Sequence, residues 1–193
     1  EITEISSKHD AITILDDAHG DFVFGKDGKG TPNKFGVSRE IDLYISSLSK
    51  GLGSFGGYVS SKKNVIDLCI NRSKSFIYTS ALPTPIVEFT LKRFNSNREE
   101  RRIKLWKNVK LFHKGLKQIG YKTRSISQII PIIIGNEKLT LNFAEAMLKN
   151  GIFVQPIRFP TVKRNSARIR FSITAWHTKK QIIDTLSILE KYT

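Results

Sequence analysis

The sequence predicts an α/β chain, part of an open parallel sheet that delivers polar groups at its strand ends, followed by a smaller α+β unit. Three observations predict it. The apolar run Ala11 to Leu15 ends on Asp16-Asp17, the pattern of a buried strand whose carboxyl end feeds a site. Pro83 and Pro85 interrupt the chain and predict a hinge, with residues 1–85 in the sheet domain and 86–193 in the smaller one. Beyond them, Ala167, Ile169, Phe171 and Ile173 alternate with Arg168, Arg170 and Ser172, so one strand face is core and the other presents guanidinium groups.

The elements follow in order. Ile2 to Lys8 reads as a helix, and because the chain opens on Glu1 at its start, further sequence is expected upstream. Ile41 to Ser47 is the next strand, and Gly57 to Ser60 begins another. Asn64 to Asn71 is a helix with Val65, Leu68 and Cys69 inward. In the second part, Ile103, Trp106, Val109, Phe112, Leu116 and Ile119 recur at helical spacing, with Gly120 as the stop. Ile129 to Ile134 is a strand, Leu139 to Lys149 a helix closed by Gly151, and Ile152 to Ile157 a further strand. Thr178 and Gln181 have capping-box spacing ahead of a last helix with Ile182, Leu186 and Leu189 inward.

Composition narrows the function. With 193 residues and 39% hydrophobic content the chain can bury a core, so disorder is not the default. A single cysteine, Cys69, excludes an internal disulfide framework, no cluster suggests a metal, and a reducing, cytoplasmic compartment is the simplest expectation. No apolar run is long enough to span a bilayer, and the N-terminus lacks a basic-then-apolar signal region. The net charge of +15 favours anionic ligands and raises nucleic acid as a rival partner. Against that rival, the charges spread over helix faces and no recognition motif is present, so neither nucleic acid nor membrane is expected.

The chemistry centres on Lys50, in Ser47-Leu48-Ser49-Lys50-Gly51-Leu52-Gly53-Ser54, and on Asp16-Asp17-Ala18-His19-Gly20. A lone lysine in this chain reads as a solvated one. Its small, hydroxyl-rich flanks change that, because they let a ring-sized ligand approach the backbone. Asp16 alone reads equally well as a turn residue, Asp17 as its solvated neighbour, and His19 as a structural histidine. Together a lysine, a strand-end carboxylate and an imidazole are the equipment for pyridoxal phosphate chemistry, with hydroxyls from Ser47, Thr79 or Ser80 for the phosphate. Arg158 and Arg170 are candidates for a substrate carboxylate, since guanidinium offers a planar fork, although Arg168 shares the face of Arg170. Gly25 to Gly30 lacks both the Walker and the dinucleotide spacing and reads as a turn, while Trp176 and His177 pack or cap.

These motifs are ordered as in one known family. Asp16 to Gly20, Gly25 to Gly36, Ser47 to Gly57, Ser75 to Pro83, Ile157 to Val162 and Ala167 to Arg170 together resemble the α-oxoamine synthases, enzymes of the aspartate aminotransferase-like fold, fold type I. Within it, Gly28-Lys29-Gly30-Thr31, Phe35-Gly36 and Arg158 to Val162 resemble the branch that condenses L-alanine with a pimeloyl thioester in biotin biosynthesis. The resemblance implies pyridoxal 5'-phosphate held covalently by Lys50, its ring nitrogen paired with Asp16 and its ring hydroxyl met by His19. It implies phosphate contacts from Ser47, where the family usually has threonine, and from Ser80 across a homodimer interface. Arg170 falls on the arginine for the amino-acid carboxylate, and Arg158 on a second arginine near the substrate.

The reaction implied is a decarboxylative condensation with Lys50 as general base, the acyl group arriving on coenzyme A or on acyl carrier protein. Two departures stand out. Lys163-Arg164-Asn165-Ser166 replaces a small-residue turn, and the family is about twice this length, so the N-terminal half with its ring-stacking side chain and glycine turn is not in the sequence. Two readings therefore compete with a complete enzyme: a non-catalytic remnant or partner subunit of one, and a relative that uses glycine or serine.

Overall fold

The computed structural model describes residues 1–192. The chain divides into two compact units, Glu1–Glu99 and Glu100–Thr193.

In the first unit, β1 (Ile14–Asp16) lies parallel to β2 (Leu43–Ser47), and β2 pairs antiparallel with β3 (Gly57–Ser60). The sheet is thus mixed rather than purely parallel, because the Lys50 loop returns directly into β3 as a hairpin. At the start of β1, Thr13 donates from its amide (2.9 Å) and its hydroxyl (2.8 Å) to Oδ2 of Asp42, which fixes the register of the two parallel strands. The same bonds hold the Asp42 carboxyl below its ordinary value. β1 is an edge strand with Ile12 and Ile14 exposed, where the apolar run predicts burial. A periodicity states which side chains want cover, and in this unit nothing covers that face.

The helices of this unit are α1 (Ile2–Lys8), α2 (Gly30–Phe35), α3 (Lys63–Arg72), α4 (Lys74–Ile77) and α5 (Thr84–Asn95). Gly36 closes α2 with φ of 72°, a left-handed value that suits glycine. The helix read from Asn64 to Asn71 forms, but Leu68 is 60% exposed and α3 buries no residue. Pro83 and Pro85 sit at the cap and first turn of α5, where a missing N–H costs nothing. Side chains of α5 belong to the first unit: Thr90 pairs with the Ser54 hydroxyl at 2.5 Å, and the Phe94 ring meets Phe22 edge-on at 6.3 Å between centroids.

The second unit has α6 (Glu99–Gln118), β4 (Ile129–Gly135), α7 (Glu137–Lys149), β5 (Gln155–Ile157), β6 (Ala167–Ser172) and α8 (Lys179–Glu190). The sheet is antiparallel in the order β4-β6-β5. Val109, Phe112 and Leu116 form the buried stripe of α6, with the Phe112 ring 5.1 Å from that of Phe171, while Ile103 of the same periodic series is exposed near the helix start. Ile130, Ile132, Met147, Ile169, Ile182 and Leu189 complete this core. Asn108 donates to the carbonyls of Thr174 (3.0 Å) and His177 (2.9 Å), pinning the loop before α8 to α6. Trp176 in that loop is 77% exposed beside the Arg101 guanidinium rather than packed in the core.

Candidate functional site

Parallel pairing places the carboxyl ends of β1 and β2 side by side, so Asp16 and Ser47 terminate neighbouring strands on one edge of the sheet. In open α/β sheets that edge is where ligands bind. Asp16 is exposed, and its Oδ1 accepts the Ala18 amide at 3.0 Å. The next residues fold into a tight turn: the amides of Gly20 (2.8 Å) and Asp21 (2.9 Å) both donate to the Asp17 carbonyl. That turn carries His19 at the surface, three residues beyond Asp16. A side chain at position 20 would overlap the Asp17 carboxylate and the Thr31 hydroxyl, which is why glycine follows His19.

Lys50 stands exposed, three residues beyond Ser47. Its loop is closed by backbone bonds from the Leu48 amide to Gly56 (3.0 Å) and from Ser54 to Leu48 (2.8 Å), and it is anchored by Leu52, which is fully buried. Arg93 of α5 donates Nε (3.2 Å) and Nη2 (3.1 Å) to the Leu52 carbonyl, so a charged fork clamps the loop two residues after the lysine. The Ser47 and Ser49 hydroxyls lie 2.7 Å apart. Asp16, His19, Ser47 and Lys50 are therefore all delivered by the carboxyl ends of one strand pair. Ser80 lies elsewhere in the unit, on the exposed segment between α4 and α5, as does Thr79.

Arg158 and Arg170 belong to the second unit. Arg158 is exposed just after β5. Arg170 is half-buried on the polar face of β6, directly between Pro131 and Gln155 in the ladder. It lines a cavity of about 630 Å³ with Gln155, Ser172, His177 and Gln181, and its Nε is buried without a hydrogen-bond partner. Arg168, its neighbour on the same face, spends its Nε on the Ser166 carbonyl at 3.0 Å. That separates two arginines which alternation alone leaves equivalent.

Asp17 is the residue the sequence places least well: it is buried, not solvated, and accepts bonds from Thr31 and Tyr44. Asp21 is likewise buried and bonded to Tyr58. A signal for Asp21 was present in Phe22-Val23-Phe24, an apolar run that draws the preceding carboxylate inward, and tyrosines stand at positions 44 and 58 in the strands either side of the Lys50 loop. Arg93 carried no such signal, since its partner is a backbone carbonyl 41 positions away.

The sequence pattern described as aminotransferase class I and II matches residues 1–188. The 8-amino-7-oxononanoate synthases of Thermoanaerobacter pseudethanolicus and Treponema denticola are 38% and 39% identical to this chain, over 99% of it and 49% of their own length. Among solved structures, serine palmitoyltransferase of Sphingomonas wittichii superposes with a TM-score of 0.91 at 27% identity, over 98% of this chain and 49% of that one. The 8-amino-7-oxononanoate synthase of Francisella tularensis gives 0.82 at 27% identity, over 98% and 58%. The chain spans about half the length of the curated relatives it matches.

Proposed function

The chain belongs to the aminotransferase class I and II family, and on that premise we propose that it carries the lysine-bearing half of a pyridoxal phosphate-dependent enzyme that condenses L-alanine with a pimeloyl thioester. The observation that carries this reading is the strand pair whose ends bear Asp16 and Ser47, with His19 and Lys50 each three residues on. The names of the relatives support the biotin-pathway reaction, and the serine palmitoyltransferase likeness supports the same chemistry with a different amino acid as the second reading.

The donor set fits the cofactor group by group. Lys50 supplies the amine for its aldehyde, Asp16 a carboxylate for its ring nitrogen, and His19 an imidazole for its ring hydroxyl. The paired Ser47 and Ser49 hydroxyls suit its phosphate, and Ser80 is a further hydroxyl assigned to that group. When bound, pyridoxal phosphate supplies an electron sink that stabilises negative charge at the substrate α-carbon. Everything else falls to the chain. Asp16, oriented by the Ala18 amide on its Oδ1, would supply the carboxylate that keeps the ring nitrogen protonated. The Nζ amine of Lys50 would take the substrate α-proton and later return it. Arg170, whose side chain lines the cavity, suits a substrate carboxylate, with Arg158 as a second cation for an anionic substrate. A homodimer and delivery of the acyl group by coenzyme A or acyl carrier protein complete the proposal.

The test is α-proton exchange. Supplied with pyridoxal phosphate in deuterium oxide, the chain is expected to exchange the α-proton of L-alanine faster than those of glycine and L-serine, read by proton NMR, and Lys50→Ala to abolish the difference from free cofactor. Faster exchange of serine would move the assignment to the second reading. Exchange at the free-cofactor rate would oppose both and favour the remnant or partner-subunit reading.

A further inference from the structure

Two buried carboxylates beside the candidate site have no part in the roles above. Asp21 is 5% exposed, and its Oδ2 accepts the Tyr58 hydroxyl at 2.6 Å. Asp17 is 6% exposed; its Oδ2 accepts the Tyr44 hydroxyl (2.8 Å) and the Thr31 amide (2.7 Å), and its Oδ1 the Thr31 hydroxyl (2.6 Å). Tyr44 lies on β2, which leads into the Lys50 loop, and Tyr58 on β3, which leaves it. Their ring centroids are 6.2 Å apart. The turn that carries Asp16 and His19 is thus bonded to both arms of the hairpin that carries Lys50.

The two segments also touch through backbone. A Cβ on Gly51, the residue after Lys50, would lie 2.5 Å from the Asp21 carbonyl oxygen and 3.0 Å from Phe22 Cβ. Phe22 holds a left-handed φ of 63°, uncommon for a bulky residue, and its amide donates to the Gly28 carbonyl (2.8 Å) and to Asp21 Oδ1 (3.1 Å). Burial and the bonds to the two aspartates raise both tyrosine pKa values above their ordinary range, so each phenol stays a donor at working pH. Removing a donor from a buried carboxylate is costly.

We propose that Asp21 and Tyr58 are positioning residues, whose buried hydrogen bond locks the Asp16–His19 turn to the Lys50 loop and so fixes the working groups relative to one another. It rests on the functional reading above only for what those groups do; the coupling of the two segments stands by itself.

Tyr58→Phe removes one hydroxyl and keeps the ring. In the cofactor-free chain, well below its melting temperature, hydrogen exchange by mass spectrometry is expected to accelerate together in peptides covering 16–24 and 48–56, with the second unit unchanged. Acceleration confined to β3, or spread evenly through residues 1–99, would overturn the coupling. With pyridoxal phosphate and borohydride, Tyr58→Phe is expected to lower the rate of labelling at Lys50 about 10- to 100-fold, the scale set by misplacing a working group by roughly 1 Å. Asp21→Asn, which keeps one acceptor for Tyr58 but sets an amide NH2 against the Phe22 N–H, is expected to label faster than Tyr58→Phe and more slowly than wild type. Labelling of Tyr58→Phe at the wild-type rate would also overturn the proposal. No labelling of the wild-type chain would instead count against the functional reading, and the exchange result would still decide the coupling.

Discussion

The imidazole of His177 accepts the Thr174 amide at Nδ1 (3.2 Å), a bond available only to the neutral ring. Burial also lowers its pKa, so the folded state binds fewer protons than the unfolded one near pH 6. Its contribution to stability is complete above the ordinary histidine value of about 6.5 and is lost as pH falls through the lowered folded value. His113, shifted down by the same cause, has the same sign. His177→Gln is therefore expected to flatten part of the loss of stability between about pH 6.5 and 5, read from denaturant midpoints across that range; an unchanged pH slope would contradict the assignment. At this scale, residues whose partners are near in sequence were legible. Asp16, His19, Ser47 and Lys50 stand at strand ends and in loops that follow directly, so local pattern placed them. Arg93 depends on a partner 41 positions away that pattern alone could not assign, and the apolar run after Asp21 hinted at its burial without naming its partner, 37 positions on.

Helix α8 begins with a complete capping box: Thr178 Oγ1 accepts the Gln181 amide (3.2 Å) and Gln181 Oε1 accepts the Thr178 amide (2.9 Å). Thr178→Ala is expected to lower stability by about 1 kcal/mol. On α6, a Cβ at Gly115 would overlap the Leu186 side chain of α8, so Gly115→Ala, favourable for an isolated helix, is expected to destabilise by about 1–3 kcal/mol through overpacking. Chemical denaturation checks both, and a Gly115→Ala chain as stable as wild type would contradict the close approach of the helices. The capping box was legible because its two partners stand only three positions apart. The exposure of Leu68 on α3 and of Ile14 on β1 was not, because an apolar stripe records a need for cover without recording whether the same unit supplies it.

The net charge of +15 is unevenly divided. Residues 1–99 hold 13 Lys and Arg against 12 Asp and Glu, while residues 100–193 hold 19 against 5. The excess belongs to the unit of Arg158 and Arg170, and the unit of Lys50 is nearly neutral, so chain-wide charge said little about the lysine site itself. The fold family was legible because its motifs are strung in order along the whole chain, and matching over residues 1–188 agrees with that order. Among the described residues no helix is long and apolar enough to cross a membrane. The chain's half-length coverage of its relatives makes cofactor capture by this chain the claim on which the rest depends. Its most direct test is to incubate the purified chain with pyridoxal phosphate, reduce with borohydride and map the adduct by peptide mass spectrometry, beside Lys50→Ala. A single pyridoxyl adduct on Lys50, absent from Lys50→Ala, is the predicted result; labelling scattered over other lysines, or none, would contradict a cofactor site at these strand ends.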